Sequence, residues 1–559
     1  MTENNRDYKQ ELEDLFSCYV HGRNTLINVK HWSEDVEIKP EFAHRKDLPT
    51  SFLALQDEAC RIIAHNKYGL DTYDNIIQII SAEQMRDAYA KNGMPVSYDH
   101  WSFGKNLIQM DQAYSKGQMG LAYEIVINTN PSIAYCMETN SKTMQMLVTA
   151  HASYGHNSFF KGNHLFRQFT EADNIIEDLK RLKRSVEVCE QKFGEDETSH
   201  LIDACHALQY HSVNRYTRPK RRTPEEDAAL RTKVREEDRL AYDDFMSRTT
   251  GSFNKAAVGA NDNAPPSVIK FDEENLLGFI AAYAPHMEEE KREVIRNFCV
   301  KTQYFYPQMQ TQLMNEGWAS FWHHTILTDL YDEDIISEGM MLEVLTSHSG
   351  VIFQPEFDSP YFSGSMNPYA LGIAMYQDIK RICLEPTDED RKWFPHFAGN
   401  PDWVSVLKGA MEDYKDESFV AQFLSPKVMR DFRLFAYHDD DWESEIEISA
   451  IHNDTGYEEV RRVLASSYDL GTKMPNLRVA GYDYRGDRSL IMEHQVYNRK
   501  PLDERDMPEV LKHIHYLWKH PVILNDIDPE TGEIEDTLVC PPKPVLQTQH
   551  LGPSARRNP

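Results

Sequence analysis

Seven ionisable side chains stand where the surrounding sequence is apolar, and a charge in such a setting has to be paired or has to ligate a metal. Glu124 lies within the apolar run at 119–127, so its carboxylate is expected to point into protein whether the segment is helix or strand. His151 lies in MQMLVTAHASYGH (144–156) and, at about 100° per residue, shares a helix face with Met144, Leu147 and Val148. His156 is five residues further on, about 140° around a straight α-helix, so the pair can meet one ion only if the helix ends or bends near Gly155. Residue 152 is Ala, so the base of an HExxH motif is missing. Asp203 and His206 are three apart and face the same way, as the Glu-x-x-His pairs of helical di-metal sites do. Glu316 and His323 are seven apart, within about 20° on a helix whose other residues are Leu, Met, Trp, Phe and Ile nearly all round.

Together, Glu124, His151, His156, Asp203, His206, Glu316 and His323 would form a carboxylate-rich N/O site without thiolate, suited to zinc, manganese or iron. Such a site can generate a metal hydroxide, with Glu124 or Glu316 as general base. The same residues could instead make a buried hydrogen-bond network that specifies helix packing, and the sequence leaves both readings open. Asp99, His100, Trp101 and Lys105 follow a Gly-Met-Pro loop and either line a pocket or cap that loop. The basic cluster Arg215, Arg218, Lys220, Arg221 and Arg222 is followed at once by acidic residues and reads as solvated surface. No GxSxG, Walker A or GxGxxG pattern is present.

The elements that must position these residues are mostly helical. Helical periodicity runs through 52–68 and 76–92, a helix-like stretch covers 134–138 after Asn130-Pro131, and further helices are predicted at 142–160, 171–216, 285–306, 309–330 and 370–383. Residues 217–268 are charged and then Pro/Gly/Asn-rich, a linker or surface insertion. Beyond about Ser425 the period shifts toward two, giving a ββαββα pattern with helices at 457–468 and 507–520. The fold class is therefore a mainly α N-terminal domain, 1–424, followed by a smaller α+β domain, 425–525, and a disordered tail, 526–559.

Of 559 residues, 60 are Lys or Arg and 89 Asp or Glu; the 29 excess negative charges oppose a general affinity for nucleic acid, whose phosphates need clustered cations. No apolar run approaches the roughly 18 residues of a membrane span, and the polar start MTENNRDYKQ lacks the features of a signal peptide, so a cytoplasmic location is expected. The eight cysteines show no CxxC spacing and read as reduced core thiols.

Long strings at these positions resemble the SpoVR-like family, the stage V sporulation protein R group of bacteria. They include MPVSYDHWSFGK (94–105), GLAYEIVIN (120–128), AHASYGHNSFFK (150–161), CHALQYHSVNRY (205–216), YFYPQMQTQLMNEGWASFWHHTIL (304–327), QPEFDSPYFSGSMNPYALG (354–372), ESFVAQFLSPKVMRDFRLF (417–435) and GDRSLIMEH (486–494). The resemblance covers nearly all of 10–525. It implies stress or sporulation physiology, with spore cortex formation, and as partners a PrkA-type serine protein kinase and a YeaH/YhbH-type protein. It brings no established reaction. Glu316-Gly-Trp-Ala also resembles the third-ligand helix of some helical zinc peptidases, with Gly155-His156 a distant echo of their Gly-His pair. The reading is a metal-dependent hydrolase with His151, His156, His206 and Glu316 as ligands and Glu124 as general base. The competing one is a non-catalytic adaptor or effector of the kinase pathway.

Overall fold

The computed structural model describes residues 8–91, 93–115, 123–215, 268–356, 359, 366–438, 447–483, 486–495, 502–528 and 531–541. The insertion expected at 217–268 falls, except for Val268, outside the described residues. The chain forms two units. The first comprises Met1–Tyr210, Met287–Asn476 and Val496–Leu502, and the second His211–His286, Leu477–Gln495 and Asp503–Pro559.

The first unit is mainly helical. The helices that matter for function are α1 (Trp101–Ser115), α2 (Lys142–Thr149), α3 (Asn157–Gly162), α4 (Ile175–Phe193), α5 (Glu195–Ala207), α6 (Glu289–Gln310), α7 (Gln312–Asp332), α8 (Glu338–Val351), α9 (Pro368–Leu384) and α10 (Asp416–Phe423). A π-helix, Ala150–His156, joins α2 to α3. The apolar pattern of α7 is explained by its place at the centre of the core, packed on the π-helix, α8, α9 and α10. Its Trp318 and Trp322 are fully buried; at roughly 200 Å² each and about 25 cal/mol per Å², each contributes on the order of 5 kcal/mol before entropy is counted.

Two segments that read as helical are strands. Asn75–Ile80 is β1 and Ser132–Met137 is β3, paired in parallel; β2 (Glu124–Ile127) runs antiparallel on the other side of β3 and forms an edge. Short apolar runs do not distinguish helix from strand by periodicity. Four isoleucines in NIIQII favour the extended chain, where branched side chains keep their rotamers without crowding a helical turn. The helix expected over 76–92 is therefore confined to Ala82–Ala90, begun by a capping box at Ser81.

The second unit is α+β, with five strands ordered β10-β9-β8-β7-β4. Here β4 is Val268–Glu273, β7 Asn476–Asp483, β8 Leu490–Gln495, β9 Val522–Ile527 and β10 Ile534–Cys540. The helix α11 (Asp506–Trp518) is the crossover between the parallel pair β8 and β9. The small domain thus differs from the expected 425–525 at both ends. The strands β5 (Ala436–His438) and β6 (Glu447–Ala450) pair with each other and belong to the first unit, while β4 comes from far upstream. The expected tail contributes β10, antiparallel to β9; of 526–559, only 529–530 and 542–559 lie outside the described residues. No helix among the described residues is long and apolar enough to cross a membrane. All eight cysteines are free and most are buried, as core thiols should be.

Candidate metal centre

Glu124, at the first position of edge strand β2, faces two histidines of the π-helix and one carboxylate of α7. The π-helix removes the difficulty that the spacing poses. Its i→i+5 hydrogen bonding stacks residues five apart, where an α-helix would separate them by about 140°. The rings of His151 and His156 lie 4.5 Å apart, perpendicular to each other. Gly155 permits the approach of this segment to α7, since a Cβ there would sit 2.6 Å from Ala319 Cα.

His151 Nε2 is 3.7 Å from Glu124 Oε1 and 3.9 Å from Glu316 Oε2, and His156 Nε2 is 3.5 Å from the same Glu316 oxygen. Glu124, His151 and His156 offer ligand atoms all within 4.8 Å of one another, the one such set of three or more among the described residues. An ion with bonds of about 2.0–2.1 Å holds tetrahedral ligand atoms roughly 3.3 Å apart. The observed separations therefore admit one with small adjustments. Glu316 Oε2 is buried without a hydrogen-bond partner, the condition of a carboxylate oxygen that awaits a cation.

The outer nitrogens of both histidines are engaged. His156 Nδ1 donates to Asn315 Oδ1 at 2.9 Å, which leaves the Nε2 lone pair facing the carboxylates. His151 Nδ1 is 2.8 Å from His323 Nδ1, and His323 Nε2 is 2.8 Å from His348 Nδ1, so three imidazoles form a hydrogen-bonded chain from the centre to α8. Burial, then His156 and His323, holds His151 well below the usual histidine range, in the neutral form a metal requires. Burial first, and then the nearby Glu316, pushes Glu124 up to about 8. Glu316 is also raised by burial, against the opposing effects of His156 and a hydrogen bond from Tyr369 of α9.

The structure therefore brings together Glu124, His151, His156 and Glu316, and gives the other three predicted residues different places. His323 has both ring nitrogens committed to other imidazoles and supports His151 instead of facing the carboxylates. Asp203 and His206 lie on α5, which packs on α4 and α6. There Asp203 Oδ1 accepts a hydrogen bond from Trp101 Nε1 at 2.9 Å, and His206 Nε2 is 2.6 Å from Tyr98 Oη. Three-residue spacing predicts a shared helix face but not which cluster that face meets. Sequence reasoning does not reach Asn315, His348 or Tyr369. Asn315 adjoins Glu316 in sequence, which is a signal of sorts; His348 and Tyr369 arrive from other helices and carry none.

A family model described as SpoVR like protein matches residues 49–473, and one described as SpoVR-like C-terminal domain matches 475–529. Their junction falls at the start of β7, where the second unit resumes. The chain is 50% identical over 497 residues, 89% of its length and 95% of the relative's, to a protein of Escherichia coli (strain K12) named uncharacterized protein YcgB. No solved structure matches. With both family models covering most of the chain and half of the aligned residues identical to that relative, the protein belongs to the SpoVR-like family.

Proposed function

We propose that His151, His156 and Glu316 hold one divalent cation, zinc, manganese or iron, and that the protein is a metal-dependent hydrolase with Glu124 as general base. One observation carries this reading: two imidazole Nε2 atoms and two carboxylates converge while the outer nitrogen of each histidine is already engaged. A bound divalent ion supplies an activated water at neutral pH. The protein's part is to hold and move the proton. Burial and Glu316 hold Glu124 above the ordinary carboxylate range, and a cation bound beside it would draw it back down to the ionised form that accepts a proton near pH 7. Tyr369 binds Glu316 and fixes its orientation. The surroundings proposed are cytoplasmic stress or sporulation physiology, as the family resemblance implies.

The test is elemental mass spectrometry of protein purified without a His-tag or chelator. About one ion per chain is expected, lost in His156→Gln and Glu316→Gln proteins that keep their circular dichroism, and retained in Glu124→Gln. Metal-free protein under conditions that preserve bound ions refutes the reading. The imidazole chain gives a second expected result. His348→Leu removes the last partner of the chain and is expected to weaken metal binding about 10–100-fold, measured by competition with a chromophoric chelator. His348→Gln, which keeps a hydrogen-bonding group, should lose less.

A second reading, a non-catalytic adaptor of a PrkA-type kinase and a YeaH/YhbH-type protein, is favoured by exposed apolar side chains on and just beyond α8. Leu342 is 58% exposed and Phe353 65%, and exposed apolar groups of this kind serve protein contacts when they cluster. Copurification of either partner with wild-type protein but not with Leu342→Lys would support it.

A further inference from the structure

A cavity of about 510 Å³ shares no residue with the metal centre; its wall, built around α1, α4 and α5, includes Asp99, His100, Trp101, Phe103, Glu190 and Glu195. Glu190 is the member of this wall that the fold does not explain. It stands in the last turn of α4, where the helix dipole is already negative and a cation would be the stabilising choice. It is half-buried and has no cation within ion-pair distance among the described residues, while Glu195 and Asp99 lie near enough to add to the upward push of burial on its carboxyl. The neighbouring lysines are committed elsewhere, Lys91 of the lining to Asp87 at 3.0 Å and Lys192 to Glu290 at 2.6 Å. Asp99 and Glu195 are themselves well placed, since one precedes α1 by two residues and the other opens α5, at the positive ends of those helices. His100 is a second unsatisfied group. Its side chain is 1% exposed, and its Nε2 is buried without a hydrogen-bond partner. The nearest carboxylate oxygen, Asp203 Oδ1 at 3.3 Å, is engaged by Trp101 Nε1 at 2.9 Å. That bond tethers the Trp101 ring although the residue is 56% exposed.

We propose that this cavity is a second binding site and takes an aliphatic polyamine, with Glu190 receiving one ammonium group, Asp99 and Glu195 the next, and the Trp101 face packed on the methylene chain. The volume lies within the range of small-ligand pockets, about 300–1,000 Å³. The lining repels an anion, because its one lysine is already paired and its other carboxylates are not. A single metal ion fits poorly, since among the described residues no three ligand atoms of this wall lie within 4.8 Å of one another. The charge to be met is therefore spread out, as it is along a chain with several ammonium groups. Phe103, Leu107 and the exposed ring of Trp101 supply the apolar surface that the methylenes between those groups need. Lys105 Nζ, 5.9 Å from the Trp101 ring centre, is at the outer limit of a cation–π contact and does not line the cavity.

The experiment titrates full-length protein with spermidine by isothermal calorimetry at about 150 mM salt, where attraction to a distant acidic surface is screened beyond roughly 8 Å. Thermal midpoints are measured in parallel. One site per chain is expected, binding spermidine at least tenfold more tightly than propylamine, which carries a single charge. Glu190→Gln is expected to weaken spermidine at least tenfold and also to raise the midpoint of the unliganded protein, because it removes a negative charge from a helix C-terminus. Trp101→Leu should weaken binding about fivefold. Glu504→Gln, exposed and in the other unit, should bind as wild type does. A lowered midpoint in Glu190→Gln would mean that this carboxylate serves the fold, and it overturns Glu190 as the anchor. The site is overturned by the absence of saturable binding, by equal losses in Glu190→Gln and Glu504→Gln, or by displacement of spermidine with an equal concentration of magnesium ion. The outcome is independent of the reading of the metal centre.

Discussion

A Gly317→Ala protein is expected to be less stable by up to about 2 kcal/mol and to hold the proposed metal more weakly, although Ala is the better helix former. Gly317 on α7 crosses Gly372 on α9, and a Cβ at 317 would lie 2.4 Å from Gly372 C and 2.5 Å from its Cα. Both obstacles are backbone, so no side chain can swing aside. Helix propensity would contribute about 1 kcal/mol in the opposite direction, whereas overpacking of a tight core costs about 1–3 kcal/mol and is at its worst where the backbone must move. The separation of α7 from α9 would also draw Tyr369 away from Glu316, which is adjacent to the crossing. Gly409 provides the control. It sits in the helix Trp403–Asp413 with open space where a Cβ would go, so Gly409→Ala should be neutral or stabilising by up to about 1 kcal/mol. Thermal midpoints of the two proteins should shift in opposite directions; a Gly317→Ala midpoint at or above wild type refutes the packing argument.

That pair of glycines also shows where sequence reasoning stops. The all-round apolar character of α7 is legible, and with it the burial of Glu316 and His323, because a helix without a polar face has to be surrounded. The burial of Glu124 is legible for the same reason, in a run too apolar to face water. The convergence of His151 with His156 is not. A five-residue interval is out of phase with an α-helix, and the π-helix that brings it into phase is stabilised by tertiary packing of Gly155 on Ala319, a contact 164 positions away in the chain. The assignment of His206 to the same centre fails for a related reason. Its helix face is correctly apolar, but that face meets α4 and α6, and helix period alone carries no information about partners.

The small domain makes the point for sheets. The alternation in β7 and β8 and the helix α11 between β8 and β9 can be read directly. Yet β4 joins β7 across more than two hundred residues, pairing Val268 with Asp483, and β10 begins with four exposed residues of an edge, the apolar Ile534 and the polar Glu535, Asp536 and Thr537. An edge strand needs no buried face of its own, so its sequence resembles a solvated tail.

The position of Glu316 depends on a capping arrangement that predicts a second large effect. The N-cap residue of α7, Thr311, makes no side-chain capping bond. The orphan N–H groups of Leu313 and Met314 instead donate to Asp416 Oδ2 and Oδ1, each at 2.9 Å, from the start of α10. Asp416→Ala strands two buried donors, each worth about 1–3 kcal/mol when unsatisfied, so a loss of about 2–5 kcal/mol is expected together with a looser Glu316. The charge itself has the opposite sign. Burial, against the bonds from Met314 and Leu313, pushes Asp416 up to about 7, above its unfolded value near 3.9. The folded state therefore holds a proton that the unfolded state has released, and stability from this group is fully present below about pH 4 and is lost as pH rises through 7. The span corresponds to at most about 4 kcal/mol. Asp416→Asn keeps an acceptor and cannot ionise, so its stability relative to wild type should rise between pH 5 and pH 8, as read from paired urea midpoints. A relative stability that stays flat or falls over that interval would mean that the helix N-terminus, and not burial, sets the charge of Asp416, and that α7 is held by an ionised cap.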